Sequence, residues 1–303
     1  WETPLGSRQS RGSHIRNLLE SLREDENIVS ILPVSRELLE EPDDHYLLFA
    51  TRLGLIKKTA LSEYVRINRN GKYALRFKIE GDSLVNVRSA TNEHDIVMIS
   101  TTGYASRFSC GDIRASGRVS GGVYGIKVGD RKGSGGGIVA GMVAMLSADE
   151  YILTISKYGM AKRSRLGTAE KIHDTDASGA PKFEDDGSPK MATDGYRRTK
   201  PGAKGVRTMK LDEEHHDSII SVRTIPDIED HLFLLTKSGM MIRIRVSQTK
   251  ETSGKSTRGT RVMELRDKQK GGFTDEIIFS SRVSASLLDV EDDEEVSELG
   301  EEE

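Results

Sequence analysis

Cysteine is nearly absent from this chain of 303 residues: Cys110 stands alone. No disulfide can form within the chain, and a reducing cytoplasm is the expected setting. Aromatic residues make up only 5%. Hydrophobic residues reach 35% against 31% charged, enough for small repeated cores but little for one large core. No apolar run approaches the roughly 20 residues of a membrane span. The opening WETPLGSRQS lacks the basic, apolar and small-residue order of a signal peptide. No membrane partner is expected.

Complete catalytic and metal motifs are missing too. The stretch SGKST (253–257) resembles the end of a phosphate-binding loop, but the motif's first glycine falls at Thr249 and the segment joins two strands. DTDASG (174–179), with Asp185 twelfth, has a calcium-loop look without flanking helices or the bidentate Glu. His215 and His216 sit in a polar turn without the other ligands of a zinc site. Cys110 has no His partner and reads as a small packed residue. GDRKGSGGG (129–137) reads as a flexible turn. Neither a catalytic residue, a metal nor a cofactor is expected here.

Charge is unevenly placed. Residues 289–303, DVEDDEEVSELGEEE, hold ten of the 48 acids and none of the 45 bases, so residues 1–288 carry a net of +7. A basic body suits a polyanion, and an acidic tail can compete for the same surface. The tail has no aromatics and is expected to be disordered.

What is present is a repeat. YLLFATRLGLIKKTALSEY (46–64) returns as DIVMISTTGYASRFSCGDI (95–113), YILTISKYGMAKRSRLGTA (151–169) and HLFLLTKSGMMIRIRVSQT (231–249). Each phrase has a short apolar strand, then a glycine (Gly54, Gly103, Gly159, Gly239), then a second strand. Glycine supplies the positive φ of a tight hairpin. Four residues after each glycine stands a base: Lys58, Arg107, Arg163 and Arg243, with Lys57 and Lys162 just before two of them.

A second module follows each hairpin, at 71–90, 121–145, 204–225 and 258–283, read as strand, polar turn and strand. One unit is thus four short strands, and the glycine spacings of 49, 56 and 80 residues suit an all-β, propeller-like ring. The longest spacing holds an insertion, 170–195, read as a surface loop or disordered segment. The second module also occurs at 11–34 without a hairpin before it, so the chain reads as beginning inside a blade.

The loops between modules are Gly/Ser-rich and basic. They hold Arg8 and Arg11; Arg66 and Arg69; Arg114 and Arg118; Arg197, Arg198, Lys200 and Lys204; Lys250, Lys255 and Arg258. Equivalent units put these loops at equivalent edges of the ring, which makes a basic track. No recurrent aromatic favours single-strand stacking, and no helix offers groove-reading side chains. The expected partner is duplex DNA, its phosphates held on the rim by these loop bases and by the hairpin bases Lys57, Lys58, Arg107, Lys162, Arg163 and Arg243. A protein-interaction propeller, or an enzyme on a propeller scaffold, remains the competing class.

ENIVSILPV, YLLFATRLGLIKKTALSEY, GGVYGIKV and the acidic tail resemble the DNA gyrase A C-terminal domain family, over nearly the whole chain. The resemblance implies a six-bladed β-pinwheel in which neighbouring blades exchange a strand, with duplex DNA wrapped on the basic rim. Here it implies part of blade two, blades three to six (1–288) and a tail (289–303). It implies a role in ATP-dependent negative supercoiling, in a cytoplasmic assembly of two A and two B subunits. ATP and Mg2+ would act elsewhere, and the DNA-cleaving tyrosine would lie in another domain. The family's basic box, of Gln-Arg-Arg-Gly-Gly-Lys-Gly type, is absent; the nearest text, RQSRG (8–12), matches the second blade's position. The related C-terminal domain of topoisomerase IV stays open as the alternative.

Overall fold

A computed structural model describes residues 14–17, 22–40, 42–66, 71–130, 132–176, 178–252, 257–266 and 272–286. The first repeat gives β1 (Tyr46–Thr51), β2 (Leu55–Ala60) and β3 (Leu84–Ala90). The second gives β4 (Asp95–Ser100), β5 (Tyr104–Ser109), β6 (Val123–Tyr124) and β7 (Val139–Met145). The third gives β8 (Tyr151–Ser156), β9 (Met160–Arg165), β10 (Lys171–His173), β11 (Met191–Thr193), β12 (Val206–Arg207) and β13 (Ile219–Ile225). The fourth gives β14 (His231–Thr236), β15 (Met241–Arg245), β16 (Thr260–Arg261) and β17 (Ile277–Val283). Helix among the described residues is limited to Arg36–Glu40, residues 285–286 and short 3-10 turns.

The four hairpin glycines occupy one turn, as the repeat predicts. Their φ angles are +91, +82, +82 and +90° for Gly54, Gly103, Gly159 and Gly239. Each N–H donates to the carbonyl three residues back, at 3.0 to 3.3 Å. A hydroxyl at that residue (Thr51, Ser100, Ser156, Thr236) accepts from the N–H that follows the glycine. This recurrent Ser/Thr fixes the turn, and it is legible in the sequence once the phrases are aligned.

The sheets run β3-β1-β2-β6, β7-β4-β5-β12, β13-β8-β9-β16 and β17-β14-β15. The outer strand of each complete blade therefore comes from the following repeat. A unit read along the sequence as four strands contributes three to its own blade and lends one to its predecessor.

Blades stack face to face, with a core between each neighbouring pair. Ile96 and Met98 of β4 pack with Leu48, Ala50 and Ile56 of the first blade. Val97 and Ile99 point the other way, onto Ile152, Ile219 and Val222 of the third. Leu153 and Ile155 meet Leu232, Leu234 and Ile277 of the fourth. A strand buried on both faces needs a continuous apolar run, and β4 is buried at every position. In β14 burial alternates instead, because among the described residues only one face has a neighbour.

Three expectations need correction. Residues 71–80 form no strand. By the exchange rule their partner is a hairpin earlier in the chain, none of the described residues supplies one, and two residues of extended chain do not hold without a ladder. The described part of 11–34 has no strand either, only a 3-10 turn at Ile15–Asn17. The insertion 170–195 lies at the surface as expected but is ordered rather than disordered: β10 and β11 pair, and isolated bridges Thr175–Pro181 and Phe183–Pro189 close two further turns. Asp176 and Asp186 close its turns by accepting from Ser178 and Ser188.

Candidate nucleic-acid interface

The hairpin bases were expected on the rim. Five of the six are inside: Lys57, Lys58, Arg107, Lys162 and Arg163 are buried, and only Arg243 is exposed. Lys57, Lys58, Arg107 and Lys162 bind backbone carbonyls of neighbouring segments. Lys57 Nζ donates to the carbonyls of Ala74 and Arg118. Lys58 Nζ donates to Asn92 Oδ1 and, at 3.0 Å, to the Cys110 carbonyl, while lying 4.1 Å from the Tyr46 ring centre. Lys162 Nζ donates to the Thr208 carbonyl. Arg107 Nη1 donates to the carbonyls of Leu166, Gly167 and Tyr196 at 2.8 to 2.9 Å, and its Nε and Nη2 bind Asp95. Arg163 stacks 4.9 Å from the Tyr151 ring centre.

These placements shift the groups' protonation. Burial, helped by Arg118 and opposed by Glu63, lowers Lys57 to about 8. Burial lowers Lys162 to about 8 as well. Burial pushes Asp95 up, but bonds and charge from Arg198 and Arg107 outweigh it and hold the carboxyl below its ordinary range. Lys57, Lys58, Arg107 and Lys162 therefore tie down the segments around them rather than face solvent, and Arg163 lies buried against the Tyr151 ring.

The loops they hold are equivalent. Ser116, Thr199 and Thr252 each donate a backbone N–H to the carbonyl of a hairpin base, Lys58, Arg107 and Arg163, at 2.9, 2.7 and 2.9 Å. Each loop ends on a positive-φ glycine, Gly122, Gly205 or Gly259, lying against a carbonyl of the preceding blade's second hairpin strand, Ile56, Ala105 or Ala161. Two residues before each N–H anchor stands an exposed base: Arg114, Arg197 and Lys250.

Lys200, Lys204 and Arg258 are also exposed, as is Arg66 on the segment after β2. Arg118 is half-buried and pairs with Glu63 at 3.4 Å. Arg198 is exposed yet tied to Asp95 at 2.8 and 3.1 Å. Lys204 and Arg207 lie 4.8 and 5.6 Å from the Tyr104 ring centre. Arg8, Arg11, Arg69 and Lys255, and the tail 289–303, lie outside the described residues.

The sequence reading missed Lys78. It lines a cleft of about 480 Å3 with Lys57, Lys58, Arg114, Ser116 and Ser120, and its Nζ donates to the Gly122 carbonyl at 2.7 Å. It stands within the second module, outside the basic loops, so the recurrence of loop bases does not mark it. Asp212, Glu214 and His215 bring their ligand atoms within 4.8 Å of one another. Asp212 accepts the backbone N–H of His215, and the His215 ring meets Phe273 edge-on, so the trio closes a turn. Cys110 is buried in the core between the first two blades.

The family model of the DNA gyrase C-terminal domain, a β-propeller, matches residues 4–35, 45–91, 94–134, 190–226 and 230–270. Its longest gap, 135–189, includes β10 and the turns that follow it, while β11 lies within the next matched span. The chain is 32% identical over 270 residues to the A subunit of Staphylococcus epidermidis DNA gyrase, covering 89% of this chain and 26% of that protein. It is also 32% identical over 270 residues to the A subunit of Deinococcus deserti DNA gyrase, covering 88% and 29%. The chain thus spans between 26% and 29% of the length of these relatives. Among solved structures it superposes on the C-terminal domain of DNA topoisomerase IV with a TM-score of 0.66 and 21% identity, covering 90% of this chain and 71% of that one. For the DNA gyrase A C-terminal domain the TM-score is 0.64 at 19% identity, covering 92% and 77%. At these identities the likeness is one of fold.

Proposed function

Because this chain belongs to the DNA gyrase C-terminal domain family, we propose that its rim binds, bends and wraps duplex DNA without sequence preference. On this reading the wrapped segment is presented for strand passage by an ATP-dependent type II topoisomerase that introduces negative supercoils. The working assembly is then two A and two B subunits in the cytoplasm, with ATP, Mg2+ and the DNA-cleaving tyrosine outside these residues. Among the described residues no helix is long and apolar enough to cross a membrane.

One observation carries the proposal: the exposed bases Arg114, Arg197 and Lys250 recur at one position of three successive rim loops. On this reading successive blades turn the same loop outward, and the three bases mark a path for a phosphate backbone. Phosphate neutralisation releases counterions, which supplies sequence-blind affinity. Long side chains on small-residue loops approach phosphates without reading bases.

The test is duplex affinity against salt for the chain and for R114Q/R197Q/K250Q. Each lost contact removes about 0.9 from the slope of log affinity on log salt, so the triple variant should lose about 2.7, equally for all sequences. An unchanged slope, or a loss confined to some sequences, refutes the proposal. Closing nicked circles in the chain's presence should shift their linking number if the rim wraps DNA. A slope loss without that shift would leave binding and remove wrapping.

A further inference from the structure

Four bases line one cleft beside the first rim loop. The loop touches β2 at two places: Ser116 donates its N–H to the Lys58 carbonyl at 2.9 Å, and Val123 pairs with Ile56. Residues 117–122 have only that short stretch of strand to span, so they arch away from it. The cleft under the arch measures about 480 Å3 and is lined by Lys57, Lys58, Lys78, Arg114, Ser116 and Ser120. Among the described residues no carboxylate lines it. Glu63, on the same blade, is engaged by Arg118 at 3.4 Å instead. Buried Ile56 and Ile113 back the cleft, so water screens its charges poorly.

The third wall is set by a bond that recurs around the ring. Arg76, Lys127 and Lys210 donate backbone N–H groups to the carbonyls of Ser120, Ala203 and Thr257, at 3.3, 3.0 and 3.0 Å. Each acceptor lies two residues before a loop-ending glycine, Gly122, Gly205 or Gly259. Two residues after the donors stand Lys78, Gly129 and Asp212. At three equivalent corners the chain thus presents a cation, no side chain and an acid. The first junction alone adds a base there to those of its hairpin and loop.

The donors suit an anion with several oxygens. Lys57 Nζ binds the Arg118 carbonyl and Lys78 Nζ the Gly122 carbonyl, so two ammoniums hold the ends of the arch. Lys78 is exposed, and an ammonium has three N–H donors, so this one keeps donors for a ligand. The Ser116 and Ser120 hydroxyls, 2.6 Å apart, add adjustable donors. Gly117 and Gly122 let backbone approach an oxyanion closely. The volume is that of a ligand pocket and exceeds a single phosphate. No aromatic side chain lines it to hold a base. We propose that this cleft is a phosphate pocket, and that it seats a diphosphate unit. The unit belongs either to a free phosphate compound or to two successive phosphates of a nucleic-acid strand.

Titration calorimetry with inorganic pyrophosphate at constant salt tests this. The parent should bind one pyrophosphate per chain. K78Q keeps a donor for the Gly122 carbonyl and removes the charge, so affinity should fall about tenfold or more. K237Q removes an exposed base that lies outside the cleft lining and should leave affinity unchanged. A second readout needs no variant: saturating pyrophosphate should slow acylation of Lys78 and not that of Lys237, read by mass spectrometry. No saturable heat overturns the proposal. So does K78Q binding like the parent, K237Q weakening binding as much as K78Q, or Lys78 acylating equally fast with and without pyrophosphate. A short duplex then identifies the source, and either result upholds the pocket. Displacement of pyrophosphate assigns the seat to DNA backbone; simultaneous binding assigns it to a free phosphate compound. The pyrophosphate measurements involve no DNA, so their failure leaves DNA binding at the rim standing, and the reverse holds too.

Discussion

Arg107 offers the sharpest test of what the buried bases do. Replacing it with Met keeps most of the volume and removes every donor. Asp95, 5% exposed, then keeps only the bonds from Arg198. The carbonyls of Leu166, Gly167 and Tyr196 each lose a charged donor, although Leu166 still accepts from Tyr196 N–H at 2.9 Å. Removing one partner of a buried pair costs about 3–5 kcal/mol. Arg198 still neutralises part of the Asp95 charge, which places the loss near the lower bound, about 3 kcal/mol. At roughly 2–4 °C per kcal/mol for a domain of this size, the melting temperature should fall by roughly 6–12 °C. Adding Asp95→Asn should recover about 1 kcal/mol or more, because the stranded charge disappears while an acceptor for Arg198 remains. Urea unfolding of the parent, both single variants and the double variant closes the cycle. If R107M stays within 1 kcal/mol of the parent, or D95N worsens it further, then Arg107 does not hold the loops by charge.

The hairpin glycines supply an internal control: Gly159→Ala puts a Cβ 2.3 Å from the Met263 carbonyl, while Gly239→Ala meets open space. Both bear the same positive-φ strain, about 1 kcal/mol, so thermal melts should show G159A clearly less stable than G239A. Lys162, lowered to about 8, binds fewer protons folded than unfolded between that value and the ordinary lysine range. Its cost to stability is therefore full below pH 8 and relieved as pH rises toward 10, so the stability of the parent relative to K162M should increase across that window in urea titrations. Deleting 289–303 removes ten carboxylates from a body of net +7. Duplex affinity should rise at low salt and converge with the parent's at high salt, where exposed charges are screened; equal affinities at both salts would leave the tail a solubilising role.

What could be read from the sequence was local. The apolar run, the turn glycine and the hydroxyl three residues before it lie within one phrase, so the hairpins were legible from Tyr46 to Arg245. The family and the all-β fold followed from phrases kept in register. The ownership of the outer strands was not legible from spacing, because Val123 pairs with Ile56 across a whole repeat. The hairpin bases misled for a related reason. Alternation along a strand suggests that every second residue faces water, but strands inside a stack face a neighbour on both sides. The carbonyls that receive Arg107 come from residues 166, 167 and 196, and nothing within the phrase announces them. The insertion's Asp-x-Ser turns were visible, and its acid content obscured them.

The exchange of outer strands has a mechanical consequence. Each rim loop is stitched at both ends to the preceding blade, by the N–H of Ser116, Thr199 or Thr252 and by the short donated strand, before the chain returns to its own sheet. Force applied to a loop is thus shared between two blades. Part of it runs along the donated strand, where its hydrogen bonds must shear together rather than unzip one by one. Tension from a stiff polymer bent over the rim would tighten adjacent blades against each other. Among the described residues β15 alone of the four second hairpin strands carries no donated strand to share such a load.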